Sequence, residues 1–157
     1  VRLVAEGASM ITTSCGFLAA YQDVLSQAVP VPVLTSSLLQ VRHCARPGIV
    51  TFDAQSLTPR ILQAACVPAG TPVAGVRPGC EFHRRILDND TVLDLAEAQR
   101  NVVEAAVHLV QAFPSIESIV LECTNMPPYR EAVAAAVGRE VHDIETMILK
   151  AWRGRPS

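Results

Sequence analysis

Two cysteines in this chain stand where the sequence could place chemistry. Cys123 follows the run Ile119-Val120-Leu121-Glu122 and precedes Thr124-Asn125 and then Pro127-Pro128, while Cys15 ends Ser9 to Ser14, an apolar and β-branched run finishing in hydroxyl residues. Short apolar runs of this kind read as buried strands, and polar or proline clusters mark where they stop. Tyr129 to Val137 then has helix-forming composition, and Gly16 to Ala20 opens a second helical pattern. Each cysteine therefore lies between a strand end and a helix start, where open parallel sheets bind ligands and unpaired amides favour a thiolate over a thiol. A free cysteine often only fills space. Two strand-end cysteines, each beside hydroxyls, make a pattern that space-filling does not explain.

The chemistry open to such a pair is proton transfer at carbon. Inverting a carbon centre without a cofactor needs a base on one face and an acid on the other, so two groups of similar intrinsic pKa in opposite protonation states serve both directions. Cysteine suits this, because its reference pKa of about 8.5 falls toward neutrality at a helix N-terminus. The developing carbanion needs fixed hydrogen-bond donors, and Thr124, Asn125 and the neighbouring backbone amides are the candidates. No cofactor is called for. Neither a Walker loop nor a G-x-G-x-x-G fingerprint is present.

On these motifs the chain resembles the aspartate/glutamate racemase superfamily, which includes amino-acid and hydantoin racemases, maleate isomerases and arylmalonate decarboxylases. The resemblance runs through TTSCGFLAAYQ (12–22), PVLTSSLLQ (32–40), GIVTFDAQSLT (48–58) and LECTNMPPY (121–129). It implies two pseudo-symmetric α/β lobes with parallel sheets flanked by helices and the active site in the cleft between them. By this resemblance Cys15 and Cys123 are the facing catalytic pair, and Thr13, Ser14, Ser36, Thr124 and Asn125 bind the substrate carboxylate. It further implies a cofactor-independent racemase or epimerase of a small carboxylate-bearing amino acid or derivative. Two alternatives accompany that reading: a maleate-type cis-trans isomerase with a covalent cysteine, and a non-catalytic small-ligand-binding protein of the same fold. The implied lobes are 1–47 with 142–157, and 48–141. Val1 to Glu6 reads as the end of a helix closed by Gly7 with no start signal before it, so the resemblance implies a further N-terminal segment.

The elements that must position the cysteines follow from periodicity. Apolar residues from Phe17 to Ala28 recur at helical spacing, Pro30 ends that helix, and Val31 to Leu34 is a brief strand leading to Thr35-Ser36-Ser37, where Ser36 or Ser37 can cap the next helix. Gly48 to Phe52 and Val73 to Val76 read as strands. Asp53 to Pro59 can start the helix that carries Ile61, Leu62 and Ala65, and Val92 to Phe113 is the longest helical pattern. Val141 to Ile144 is a last strand before a helix over Glu145 to Trp152. Strand then helix, repeated about six times, is the signature of a parallel α/β sheet.

Composition excludes other classes. Half of the 157 residues are hydrophobic and 18% are charged, enough apolar material for one packed domain or two small lobes. A net charge of −2 without any Lys/Arg run argues against nucleic acid or an anionic membrane as partner, and no apolar stretch nears the roughly 20 residues that span a bilayer. The five cysteines are widely spaced without a C-x-x-C pair, which fits reduced thiols in a cytoplasm. A small carboxylate substrate is the expected partner, and homo-oligomerisation stays open.

Three other groups compete for a role. Cys80 and His83 share a helical spacing but are too few for a zinc site, and His43-Cys44 adds no matching geometry, so no metal is expected. His142 follows a strand and could serve Cys123 as a base, a reading that leaves Cys15 unused. Glu122 would raise the Cys123 pKa if its charge faced the sulfur, so it is expected to point elsewhere or to contact a substrate amine.

Overall fold

The computed structural model describes residues 2–154. Helix α1 (Arg2–Ala5) leads to β1 (Ile11–Thr12), and a 3-10 helix (Gly16–Tyr21) continues into α2 (Gln22–Gln27). After β2 (Val33–Leu34) comes a second 3-10 helix (Ser37–His43), then β3 (Pro47–Thr51), α3 (Pro59–Ala64), β4 (Val73–Gly75), α4 (Glu81–Leu87) and α5 (Leu95–Ala112). The chain finishes with β5 (Ser118–Leu121), a 3-10 turn (Pro127–Tyr129) running into α6 (Arg130–Val137), β6 (Glu140–His142) and α7 (Ile144–Arg153). The far ends of the Val1 to Glu6 reading and of the lobe limit at 157 lie outside the described residues.

All strand pairs are parallel. β1 pairs with β2, and a separate four-stranded sheet has the order β4-β3-β5-β6. The protein is thus α/β with parallel sheets flanked by helices, as the strand-helix alternation predicts. The central strands β3 and β5 are β-branched runs buried on both faces, which is how a parallel strand covered by helices reads. Val50, Ile119 and Leu121 pack with Val102, Ala106 and Leu109 of α5, Phe82 of α4 and Val133 of α6. Ile49 and Val120 point the other way, onto Ala19, Leu38, Val41 and Ile61. The two 3-10 helices and α3 therefore cover the second face. Among the described residues no helix is long and apolar enough to cross a membrane.

Three helix readings need correction. The helix expected over 16–28 is two segments, because Tyr21 (φ −115°, ψ 13°) leaves the helical region and Gln22 turns to the end of β2; Tyr21 and Val24 are consequently exposed. The helix expected from Val92 begins at Leu95, since the Asp94 carboxylate accepts the Glu97 amide and caps it there. Asp53 starts no helix. Its carboxylate takes the Gln55 amide and the Ser56 hydroxyl in a local turn, and α3 waits until Pro59.

Candidate active site

The Cys15 loop is held by its neighbours' hydroxyls. Thr12 Oγ1 donates to the Leu34 carbonyl at 3.0 Å and Thr13 Oγ1 to the Thr35 carbonyl at 2.5 Å, so the ends of β1 and β2 are tied together. Gln22 braces the same corner: its amide nitrogen donates to the Val33 carbonyl at 2.8 Å, while its oxygen accepts the Thr35 hydroxyl at 2.6 Å. Cys15, in extended conformation, then caps the Gly16–Tyr21 helix and leaves its thiol exposed, with Ser14 exposed beside it. Gly16 is required by close approach. A Cβ there would overlap the Glu122 carboxyl and sit 2.6 Å from the Glu122 carbonyl oxygen.

The Cys123 loop grows out of the sheet. The Glu122 amide extends the ladder by donating to the Val50 carbonyl at 2.8 Å, and the Met126 amide returns to the Cys123 carbonyl at 3.0 Å, which curls the backbone around the sulfur. Cys123 is 9% exposed. Burial pushes its thiol up to about 12; the Asn125 amides oppose this, while Glu122 and Cys15 add to it when charged. This corrects the expectation that the helix start favours the Cys123 thiolate. The Asn125 backbone amide and its Nδ2, 3.9 Å from Sγ, do favour it, but removing the sulfur from water outweighs them. Cys123 therefore holds its proton as a thiol at neutral pH.

The two loops meet directly. Thr124 Oγ1 donates to the Ser14 carbonyl at 2.7 Å, joining the residue after one cysteine to the residue before the other. Ser37 Oγ donates to the Leu121 carbonyl at 2.7 Å, bringing a third strand-end loop against the same place. Thr13, Ser14, Cys15, Cys123, Thr124 and Asn125 thus form one neighbourhood at the carboxyl ends of β1 and β5. Within it the Thr13 and Thr124 hydroxyl protons go to backbone carbonyls, which leaves Ser14 and Asn125 as the exposed polar side chains. Ser36 is fully buried, and its hydroxyl accepts the Leu38 amide as a helix cap.

Glu122, expected to point away from the sulfur or to contact a substrate amine, turns its side chain into the protein. It is 2% exposed, accepts the Thr51 hydroxyl at 2.7 Å, and burial raises its carboxyl to about 7 against the lowering effect of that bond. The competing groups lie elsewhere. His142 Nε2 is 3.6 Å from Glu140 on β6, Cys80 is buried at the start of α4, and the His83 ring stacks on Phe52. A groove of about 1060 Å³ opens between β2, the Ser37–His43 helix and α7, lined among others by Cys44, His142 and Lys150. It includes neither Cys15 nor Cys123, and the convergence of thiols and donors, not volume, marks the candidate site.

No family model matches the chain. A dimethylsulfoniopropionate lyase from Durusdinium sp. clade D is 29% identical over 149 residues, covering 88% of this chain and 50% of that protein. The chain spans half or less of the length of the curated lyases it matches. Among solved structures, arylmalonate decarboxylase superposes with a TM-score of 0.65 at 18% identity, over 99% of this chain and 73% of its own. Glutamate racemase from Thermus thermophilus does so with a TM-score of 0.57 at 15% identity, over 99% and 61%. The chain shares the fold of these two solved enzymes, a parallel α/β arrangement with helices on both faces of the sheet.

Proposed function

We propose that the chain carries the cysteine pair of an enzyme that removes a proton α to a carboxylate, and that dimethylsulfoniopropionate is its substrate. The observation that carries the first half is the Thr124–Ser14 bond, 2.7 Å, which holds an exposed and a buried thiol in one neighbourhood. The substrate is suggested by the name shared by the curated relatives, dimethylsulfoniopropionate lyase. Cys15, exposed, acts as the thiolate base. It takes the α-proton, the C–H electron pair becomes the Cα–Cβ double bond, and the Cβ–S bond breaks. Neutral dimethyl sulfide leaves with that bonding pair, acrylate remains, and the proton stays on Cys15 until solvent removes it. Ser14, Asn125 and the loop amides face the charge that spreads into the carboxylate, the place where fixed donors contribute most.

A second reading follows from the protonated state of Cys123. On a substrate with no group to expel from Cβ, the same carbanion would be reprotonated by the Cys123 thiol from the other face, which is racemisation. The glutamate racemase fold supports it. The readings are separated by presenting dimethylsulfoniopropionate, with headspace dimethyl sulfide as readout, and a panel of amino acids in deuterated water, with α-deuterium as readout. Dimethyl sulfide release is the expected result. Deuterium uptake without it would establish racemisation instead, and neither signal would refute both.

A further inference from the structure

Glu122 is a buried carboxyl that the two-cysteine chemistry leaves without a task. Its Oε2 accepts the Thr51 hydroxyl and its Oε1 lies against Gly16, the residue after Cys15, while its own peptide leads into Cys123. One residue thus joins both cysteine loops, its carboxyl against Gly16 and its peptide leading into Cys123. The titratable groups about it are Cys123 on its own loop and Cys15 on the facing one; β3 and the Ser37–His43 helix bring the hydroxyls of Thr51 and Ser37. A hydroxyl donor satisfies an ionised carboxylate without cancelling its charge, as an arginine or lysine would. In a site shielded from water that charge acts strongly on a neighbouring sulfur.

We propose that Glu122 is the positioning residue that divides the protons between the two cysteines: its carboxylate, fixed by Thr51 against Gly16, repels a second anion at Cys123 and so holds the acid there, leaving Cys15 as the group that ionises. The inference rests on the two-cysteine reading for its purpose, though not for its measurement. Glu122 already adds to the upward displacement of the Cys123 thiol, and it titrates near neutrality, so the division of protons responds to pH in the working range. Gly16 belongs to the same device, because any side chain there would drive the carboxyl away from the junction.

The test is the pH dependence of carboxamidomethylation at Cys123, followed by peptide mass spectrometry on the full chain, in Cys15→Ser and in the double variant carrying Glu122→Gln as well. Taking the midpoint and not the rate separates ionisation from access. Glutamine keeps the volume and the Thr51 contact but carries no charge, so the midpoint should fall by about one pH unit. A purely structural Glu122 predicts no displacement. If the glutamine variant does not fold, as judged by circular dichroism, Glu122→Met supplies an uncharged side chain of similar volume for the same comparison. A midpoint that is unchanged or raised in a folded uncharged variant overturns the proposal, whatever the activity. A lowered midpoint in a chain without turnover supports it and counts against the proposed reaction alone.

Discussion

At the scale of the residue, Glu122 dominates the response to pH. Its folded carboxyl sits at about 7 against an ordinary value of 4.5, raised by burial. Below pH 4.5 both folded and unfolded chains hold the proton and there is no penalty. As pH rises from there to about 7 the unfolded chain ionises and the folded one does not, so stability falls, by on the order of 3 kcal/mol, and levels above the folded value. Glu122→Gln removes this slope, which urea unfolding at several pH values would reveal; an unchanged slope would mean that Glu122 is solvated. Gly16→Ala acts at the same contact from the other side. The clash is partly with the Glu122 carbonyl, which the sheet ladder fixes, so the cost should reach about 1–3 kcal/mol in the same assay. A neutral Gly16→Ala would show that the two loops are not packed together. Neither contact was legible in the sequence. Glu122 carries the ambiguous signature of any carboxylate beside a cysteine, and only the approach of a residue 106 positions away in sequence, Gly16, gives it a role.

At the scale of the element, the start of α7 is a second fixed point. Asp143, fully buried, accepts the Thr146 amide at 2.8 Å in a capping box, and the Thr146 hydroxyl in turn accepts the Asp143 amide at 2.9 Å. Its other oxygen meets Arg130 at 2.6 Å, which links the first turn of α6 to α7. Asp143→Ala should therefore cost more than the roughly 1 kcal/mol of an ordinary cap, because Arg130 also loses its partner. Asp143→Asn keeps the cap acceptor and should recover part of that loss. Thermal unfolding of both variants checks the order, and equal midpoints would mean that the cap acceptor kept by asparagine contributes nothing. Boundaries were legible where the local signal had no rival. The helical pattern ending at Val137 is closed by Gly138 at φ 62°, and β3 and β5 fall on their β-branched runs. They were misread at 16–28, where helical spacing persists through Tyr21 but the bonds of Gln22 to the end of β2 redirect the chain.

At the scale of the whole molecule, the parallel α/β architecture followed from strand-helix alternation, while the assembly of the site did not. Periodicity says that Cys15 and Cys123 each end a strand. It does not say that the ends of β1 and β2 both meet the end of β5, a fact created by the Thr124–Ser14 and Ser37–Leu121 bonds across more than eighty residues of sequence. Nor does it give the burial that keeps Cys123 a thiol, since burial is a property of the packed molecule. The central claim is that these two sulfurs are one proton-transfer site acting next to a carboxylate. The most direct measurement is dimethyl sulfide release from dimethylsulfoniopropionate by the unaltered chain and by Cys15→Ser and Cys123→Ser, with circular dichroism confirming that each is folded. The account predicts release by the unaltered chain and a loss of at least roughly 10²-fold in Cys15→Ser, the contribution expected of a positioned base, with a smaller deficit in Cys123→Ser. Full release by a folded Cys15→Ser protein would contradict it.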